Sequence, residues 1–254
     1  MAFALFAGNW YITLNGWIAG PVDPLWTISV EEQFYLVIPV IAARGGTRAL
    51  VMVSIGMLLA SYTTIGFYAW HRSPGDHGEW TNSLVHFQFF AAGMLMAISL
   101  KGRMPRWSAS RRLAGIAVAL ACWFAAVMAF DVHSWDPQPT VPGALAGWAL
   151  VLVGTVLLLA STLGIPSRWI PTWLAHLGRI SYGLYLFHSL ILLLVFHYLL
   201  PAIGLDHAGW GADCLGTAVT LAASIFAAQL SYVYFEAYFL RLKRRFTYVA
   251  ARDI

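Results

Sequence analysis

The stretch 24–39 places Glu31, Glu32 and Gln33 near the start of a segment otherwise fit for lipid. A charged side chain at the centre of a membrane helix costs roughly 2.5–3.5 kcal/mol, so a carboxylate there marks a functional site unless it sits at headgroup level and hydrates. Thr27, Glu31 and Tyr35 recur at i, i+4 and i+8, with Ser29 and Gln33 forming a neighbouring polar row. Such a stripe must face protein or water. The chemistry these types allow is orientation or deprotonation of a hydroxyl by Glu31, with Trp26 as a stacking platform and Ser29, Glu32 and Tyr35 as further contacts. The second candidate is His188, eight residues after Ile180 and so about 12 Å into its own apolar run. An imidazole with an ordinary pKa near 6.5 takes and returns a proton at neutral pH. Tyr185 shares its helix face and could orient the ring, while Ser181 and Tyr182 lie nearer the helix mouth. The structural alternative is an imidazole bonded to a carbonyl or phenol inside a bundle, with Tyr182 a plain interfacial aromatic.

These residues need a membrane-embedded scaffold, and the composition supplies one. Apolar residues make up 60% of the 254 and charged residues 10%, where soluble domains carry about 25% charged. Seven runs approach the roughly 20 residues that cross about 30 Å of hydrocarbon: 25–43, 50–70, 84–100, 113–130, 144–163, 180–200 and 215–239. The reading is an all-α polytopic membrane helix bundle, one integral domain over 1–254, with about seven full spans and a partial amino-terminal hydrophobic segment. Connections are short, and neither linker nor internal repeat is visible.

Arg44 and Arg48; Lys101, Arg103, Arg106, Arg111 and Arg112; Arg168 and Arg179; and Arg241, Lys243, Arg244, Arg245 and Arg252 fall on every second connection, leaving Arg72 for the other face. The positive-inside bias makes those loops and the carboxy terminus cytoplasmic. Asp76 and Glu79, Asp131 and Asp136, and Asp206 and Asp213 then lie on the outer side. Dispersed cations at helix ends give no nucleic-acid signature. Cys122 and Cys214 form no metal-ligand spacing and no disulfide framework, and no metal site is expected. Residues 1–20, interrupted by Asn9 and Asn15, lack the cationic leader of a signal peptide and read as the end of a helix whose beginning is missing.

Trp26-Thr27-Ile28-Ser29-Val30-Glu31-Glu32-Gln33-Phe34-Tyr35 through Pro39 closely resembles the W-S-L-S-V-E-E-Q-F-Y…P signature of the membrane acyltransferase 3 family. Gly178-Arg179-Ile180-Ser181-Tyr182-Gly183-Leu184-Tyr185-Leu186-Phe187-His188 is similar to its late G-x-I-S-Y-x-x-Y-L-x-H motif. Leu230-Ser231-Tyr232 through Glu236 resembles the closing S-Y…E-x-P-F segment, with Ala237-Tyr238 in place of the usual proline. More weakly, 86–94 resembles a segment ending in F-x-x-G-M, with Gln88 where Glu is common. The resemblance spans about residues 14–245 and implies about ten spans, the earliest carrying an Arg and a His essential for transfer. Those are absent here, so the chain is expected to be the carboxy-terminal portion of such an enzyme.

The resemblance implies transfer of an acyl group, often acetyl, from cytoplasmic acyl-CoA to a hydroxyl of a saccharide or lipid beyond a bacterial cytoplasmic membrane, with no tightly bound cofactor. That reaction needs a base for the hydroxyl proton, donors for the oxyanion and a path through hydrocarbon. Glu31 and His188 are the expected catalytic residues. Trp26, Ser29, Glu32, Tyr35, Ser181, Tyr182 and Tyr185 are the expected substrate contacts. The open alternatives are a small transporter or flippase component, in which Glu31 and His188 carry protons, and a remnant that folds without transferring anything. His71 and Asp76 fit an H-x4-D spacing, read as chance on the outer side. The twelve tryptophans read mostly as an interfacial belt, with Trp80 and Trp135 as candidate carbohydrate platforms.

Overall fold

The structure, a computed structural model, describes residues 1–18, 20–71, 77–133, 140–205 and 209–244. Arg72, Asp76, Trp135, Asp136, Asp206, Arg245 and Arg252 lie outside the described residues, and with them the H-x4-D pair and one candidate platform. Among the described residues all regular structure is helical, and six helices are long and apolar enough to cross a membrane. The chain is a polytopic helical membrane bundle. Its contacts divide it into two compact units, Met1–Ile18 with Leu25–Ile165, and Ala19–Pro24 with Pro166–Ile254.

The first unit holds α1 (Gly8–Asn15), α2 (Trp26–Trp70), α3 (Gly78–Thr81), α4 (Ser83–Leu100), α5 (Ala109–Phe130) and α6 (Val141–Thr162). Two predicted spans, 25–43 and 50–70, both fall in α2, which accounts for six helices where seven runs were read. A straight helix of 45 residues would be about 68 Å long, more than twice the hydrocarbon thickness. Gly46, at φ 59° and ψ −156°, breaks it, in a region of backbone space open essentially to glycine. The two halves meet the same end of α4: Ser83 Oγ donates to Gln33 Oε1 at 2.6 Å, and Ser61 Oγ donates to the Leu84 carbonyl at 2.5 Å. Gln33 and Ser61 lie on opposite sides of Gly46, so α2 is a helical hairpin. Ile65 and Ala69 of its second half pack with Val85, Ala126, Ala144 and Trp148, while Trp26 and Val30 of its first half pack with Ile12.

α5 and α6 associate closely, because glycines let their backbones approach. A Cβ on Gly154 would lie 2.7 Å from the Trp123 ring and 2.9 Å from the Ala119 carbonyl oxygen. Their ends are tied by Arg112, counted in the sequence reading among cations of a surface loop. It is buried instead. Its Nε donates to the Trp107 carbonyl (3.3 Å), Nη1 to those of Ser161 and Leu163 (2.7 and 2.8 Å), and Nη2 to those of Pro105 and Gly164 (3.0 and 3.1 Å). All five guanidinium donors are thus used on carbonyls, three of them at the end of α6 that has no intrahelical partners.

The second unit holds α7 (Thr172–Arg179), α8 (Ser181–Leu193), a π-helical stretch Leu194–Leu199, α9 (Leu200–Ala202), α10 (Trp210–Ser231), a second π-helical stretch Tyr232–Glu236 and α11 (Ala237–Arg244). The buried face of α10 is Ala212, Gly216, Thr220, Ser224 and Ala228, one small residue every fourth position. That ladder lets another helix come close. At Gly183 of α8 a Cβ would lie 3.1 Å from the Ala228 Cα and 3.2 Å from Glu236 Oε1, so the bare glycine sets the approach of α8 to the end of α10.

Candidate functional site

The residues singled out from sequence divide between the units. Trp26, Ser29, Glu31, Glu32 and Tyr35 lie on the first half of α2, whereas Ser181, Tyr182, Tyr185 and His188 lie on α8.

On α2 the two polar rows have different environments. The Ser29 and Gln33 row points inward. Ser29 Oγ accepts from the Gly8 N–H at 3.2 Å, and Gln33 Nε2 donates to the Phe6 carbonyl at 2.7 Å and to Asn9 Oδ1 at 2.9 Å. Gln33 Oε1 also accepts from Trp10 Nε1 at 3.3 Å, while Asn9 Nδ2 donates to Ser83 Oγ at 2.8 Å and to the Thr81 carbonyl at 3.2 Å. Asn9, read from sequence as an interruption of an apolar run, is therefore half of a polar clasp that holds α1 against α2 and α4. The Glu31 and Tyr35 row is exposed, Glu32 is half-buried, and Trp26 is buried with its ring centroid 5.1 Å from that of His86.

Glu79, assigned by sequence to an outer acidic loop, is buried on α3, where its Oε1 accepts from Trp148 Nε1 at 2.5 Å. Trp80, the candidate platform, packs against Trp148 with centroids 5.9 Å apart, and its carbonyl lies 2.6 Å from His86 Nε2. Aromatic burial surrounds this carboxylate, and no spacing in the sequence marks it out from its exposed neighbours.

On α8, Ser181 Oγ donates to the Gly178 carbonyl at 2.9 Å, and Tyr182 is exposed. The Tyr185 hydroxyl donates to the Pro24 carbonyl, which fixes the ring. His188 Nδ1 lies 2.6 Å from the Tyr185 carbonyl oxygen. A carbonyl only accepts, so Nδ1 is the donor in this contact, and Nε2 is the nitrogen left for other partners. Tyr185 thus orients the imidazole through its backbone, with the ring centroids 5.6 Å apart.

His188 opens onto a cavity of about 280 Å³ inside the second unit. One wall is Leu184, His188, Leu192 and Phe196, at successive fourth positions along α8 and its π-helical continuation; the other is Thr217, Thr220, Leu221 and Ser224 of α10. π-helical stretches of this kind are frequent at functional sites. Thr217 and Leu221 also line a shallower concavity that runs toward Trp210, Asp213 and Cys214. The hydroxyls of Thr220 and Ser224 are buried with no hydrogen-bond partner among the described residues. Sequence reading missed them, although their i, i+4 spacing on one helix was visible.

The arrangement offers an imidazole oriented through Nδ1 beside an apolar hollow and two hydroxyls, which are the kinds of group acyl transfer uses. A family model described as an acyltransferase domain matches residues 2–229. A protein of Komagataeibacter xylinus, provisionally named a membrane-bound transacylase, BcsY, is 30% identical over 175 residues, 67% of this chain and 41% of that protein. The chain therefore aligns with less than half of that relative's length. No solved structure matches. The chain belongs to the acyltransferase 3 family of membrane proteins.

Proposed function

We propose that this chain forms part of an O-acyltransferase that moves an acyl group from cytoplasmic acyl-CoA to a hydroxyl of a saccharide or lipid on the outer side of a bacterial cytoplasmic membrane. The observation that carries this reading is His188, held by the Tyr185 carbonyl with Nε2 free beside the cavity between α8 and α10. Nε2 takes the acceptor hydroxyl proton as the oxygen attacks the thioester carbonyl. The tetrahedral intermediate then expels the CoA thiolate, which receives that proton from the imidazolium and leaves as the free thiol. Within the first unit, Glu31 on α2 is proposed separately as a group that orients or deprotonates a hydroxyl, with Glu32 and Tyr35 beside it. The basic connections and the carboxy terminus face the acyl-CoA pool, in keeping with the positive-inside bias.

The test is transfer of radiolabelled acyl groups from acyl-CoA to the envelope saccharide and lipid fractions of membranes that carry the chain. His188→Gln removes a base while keeping a polar side chain, and it should lower transfer by about 10²–10⁴-fold. Unchanged transfer in that variant, with equal protein in the membrane, would exclude His188 as the base.

A further inference from the structure

The cavity beside His188 is larger than an acetyl group requires, and its two buried hydroxyls lie idle. While Ser161 is also buried with no partner among the described residues, within helices of the first unit Ser54, Ser61 and Thr155 donate their hydroxyls to the carbonyl one turn back, to Leu50, Met57 and Val151, each at 2.8 Å. Thr220 and Ser224 do neither this nor anything else among the described residues, though they are 7% and 1% exposed. Buried polar groups in folded proteins are paired, so an unpaired couple on residues that line a cavity can serve a ligand oxygen there. Along the same walls, Leu184, Leu192, Phe196 and Leu221 present hydrocarbon. A molecule of liquid water takes about 30 Å³ and a methylene is of similar size, so about 280 Å³ holds about nine such groups. An acetyl group has three heavy atoms.

From this geometry we infer that the cavity binds a medium-length acyl chain. Its carbonyl oxygen accepts from Thr220 and Ser224, and its tail lies along Leu192, Phe196 and Leu221. The inference rests on the acyltransferase reading and extends it, because it assigns two residues as carbonyl donors and sets a chain length. The same chemistry, an ester-type carbonyl on a hydrocarbon tail, could arrive with the acyl donor or with a bilayer lipid. The cavity is assigned to the donor because His188, the group that would act on a reacting carbonyl, opens onto the same space as both hydroxyls.

The experiment is photolabelling of the full chain in membranes with two probes, an octanoyl-CoA carrying a diazirine near the chain end and a diazirine phosphatidylcholine. The expected result is labelling of α8 and α10 peptides by the CoA probe, competed at least about tenfold better by octanoyl-CoA than by acetyl-CoA, since each further buried methylene adds affinity. Thr220→Val with Ser224→Ala removes both hydroxyls at nearly constant volume and should weaken competition by either thioester. Leu221→Trp narrows the cavity and should remove the octanoyl advantage alone. Labelling of those peptides by the lipid probe only, equal competition by the two thioesters, or no labelling there would each overturn the inference. Photolabelling needs binding and not transfer, so the two readings fail separately. A chain that labels but transfers nothing rejects the acyltransferase, and a chain that transfers acetyl without labelling rejects the cavity assignment.

Discussion

The indole of Trp148 donates to the carboxylate of Glu79 at 2.5 Å inside the aromatic cluster of the first unit, joining α6 to the short helix α3. Trp148→Phe keeps the ring and deletes this donor from a buried acceptor, and it should cost about 1–3 kcal/mol. Glu79→Gln keeps an acceptor and should cost less. Thermal unfolding of the detergent-solubilised protein, followed by size-exclusion fluorescence, would rank the two. A smaller loss in Trp148→Phe than in Glu79→Gln would contradict the pairing.

Arg112 is a clamp for the backbone. Lysine offers three donors from one point and cannot reproduce a fork that reaches five carbonyls, so Arg112→Lys should be destabilised almost as much as Arg112→Ala, by about 2–4 kcal/mol. If the lysine variant melts with the wild type, positive charge at the helix end suffices and the fork geometry is irrelevant.

The clasp at Gln33 predicts a local effect. Gln33→Ala removes two donated hydrogen bonds and two accepted ones, so α1 should loosen while the rest of the first unit holds. Hydrogen exchange should rise at residues 8–15 with little change in α5 and α6. Uniform protection across α1 would mean that Ile12 packing alone secures it.

Glu31 differs from Gln33 in being exposed. Glu31→Gln should therefore leave membrane insertion and thermal stability within about 0.5 kcal/mol of the wild type, yet abolish acyl transfer in a version of the enzyme that transfers. Retained transfer would remove Glu31 from the site.

Gly183 sets the spacing of α8 against α10. Gly183→Val places a branched side chain against the Ala228 backbone, which cannot rotate away as a long side chain could, and it should cost about 1–3 kcal/mol. The shift should also disturb the cavity, so photolabelling with the octanoyl probe should fall with stability. A variant as stable as the wild type would show that α8 and α10 have room to separate.

Hydropathy made the spans legible, because a lipid environment selects long apolar runs whatever their tertiary partners. It could not resolve Arg112 or Glu79. Both were counted as loop charges, and both are buried because neighbours supply five carbonyls in one case and an indole N–H in the other. His188 stood out from depth and from a motif, with Tyr185 on the same helix face; that their contact runs through the Tyr185 carbonyl was not legible, since backbone geometry leaves no trace in residue type. Thr220 and Ser224 look like ordinary small residues of a packed helix, and only the hollow opposite them distinguishes them.

The left-handed bend at Gly46 has a bearing on biogenesis. Its backbone angles exclude other residues, and it ties two crossings into one hairpin whose halves both meet the start of α4, so residues 26–70 can enter the bilayer as a preformed pair. Substituting alanine there would trap one long rod that no membrane of ordinary thickness accommodates, and the failure would show as protein lost to quality control during synthesis.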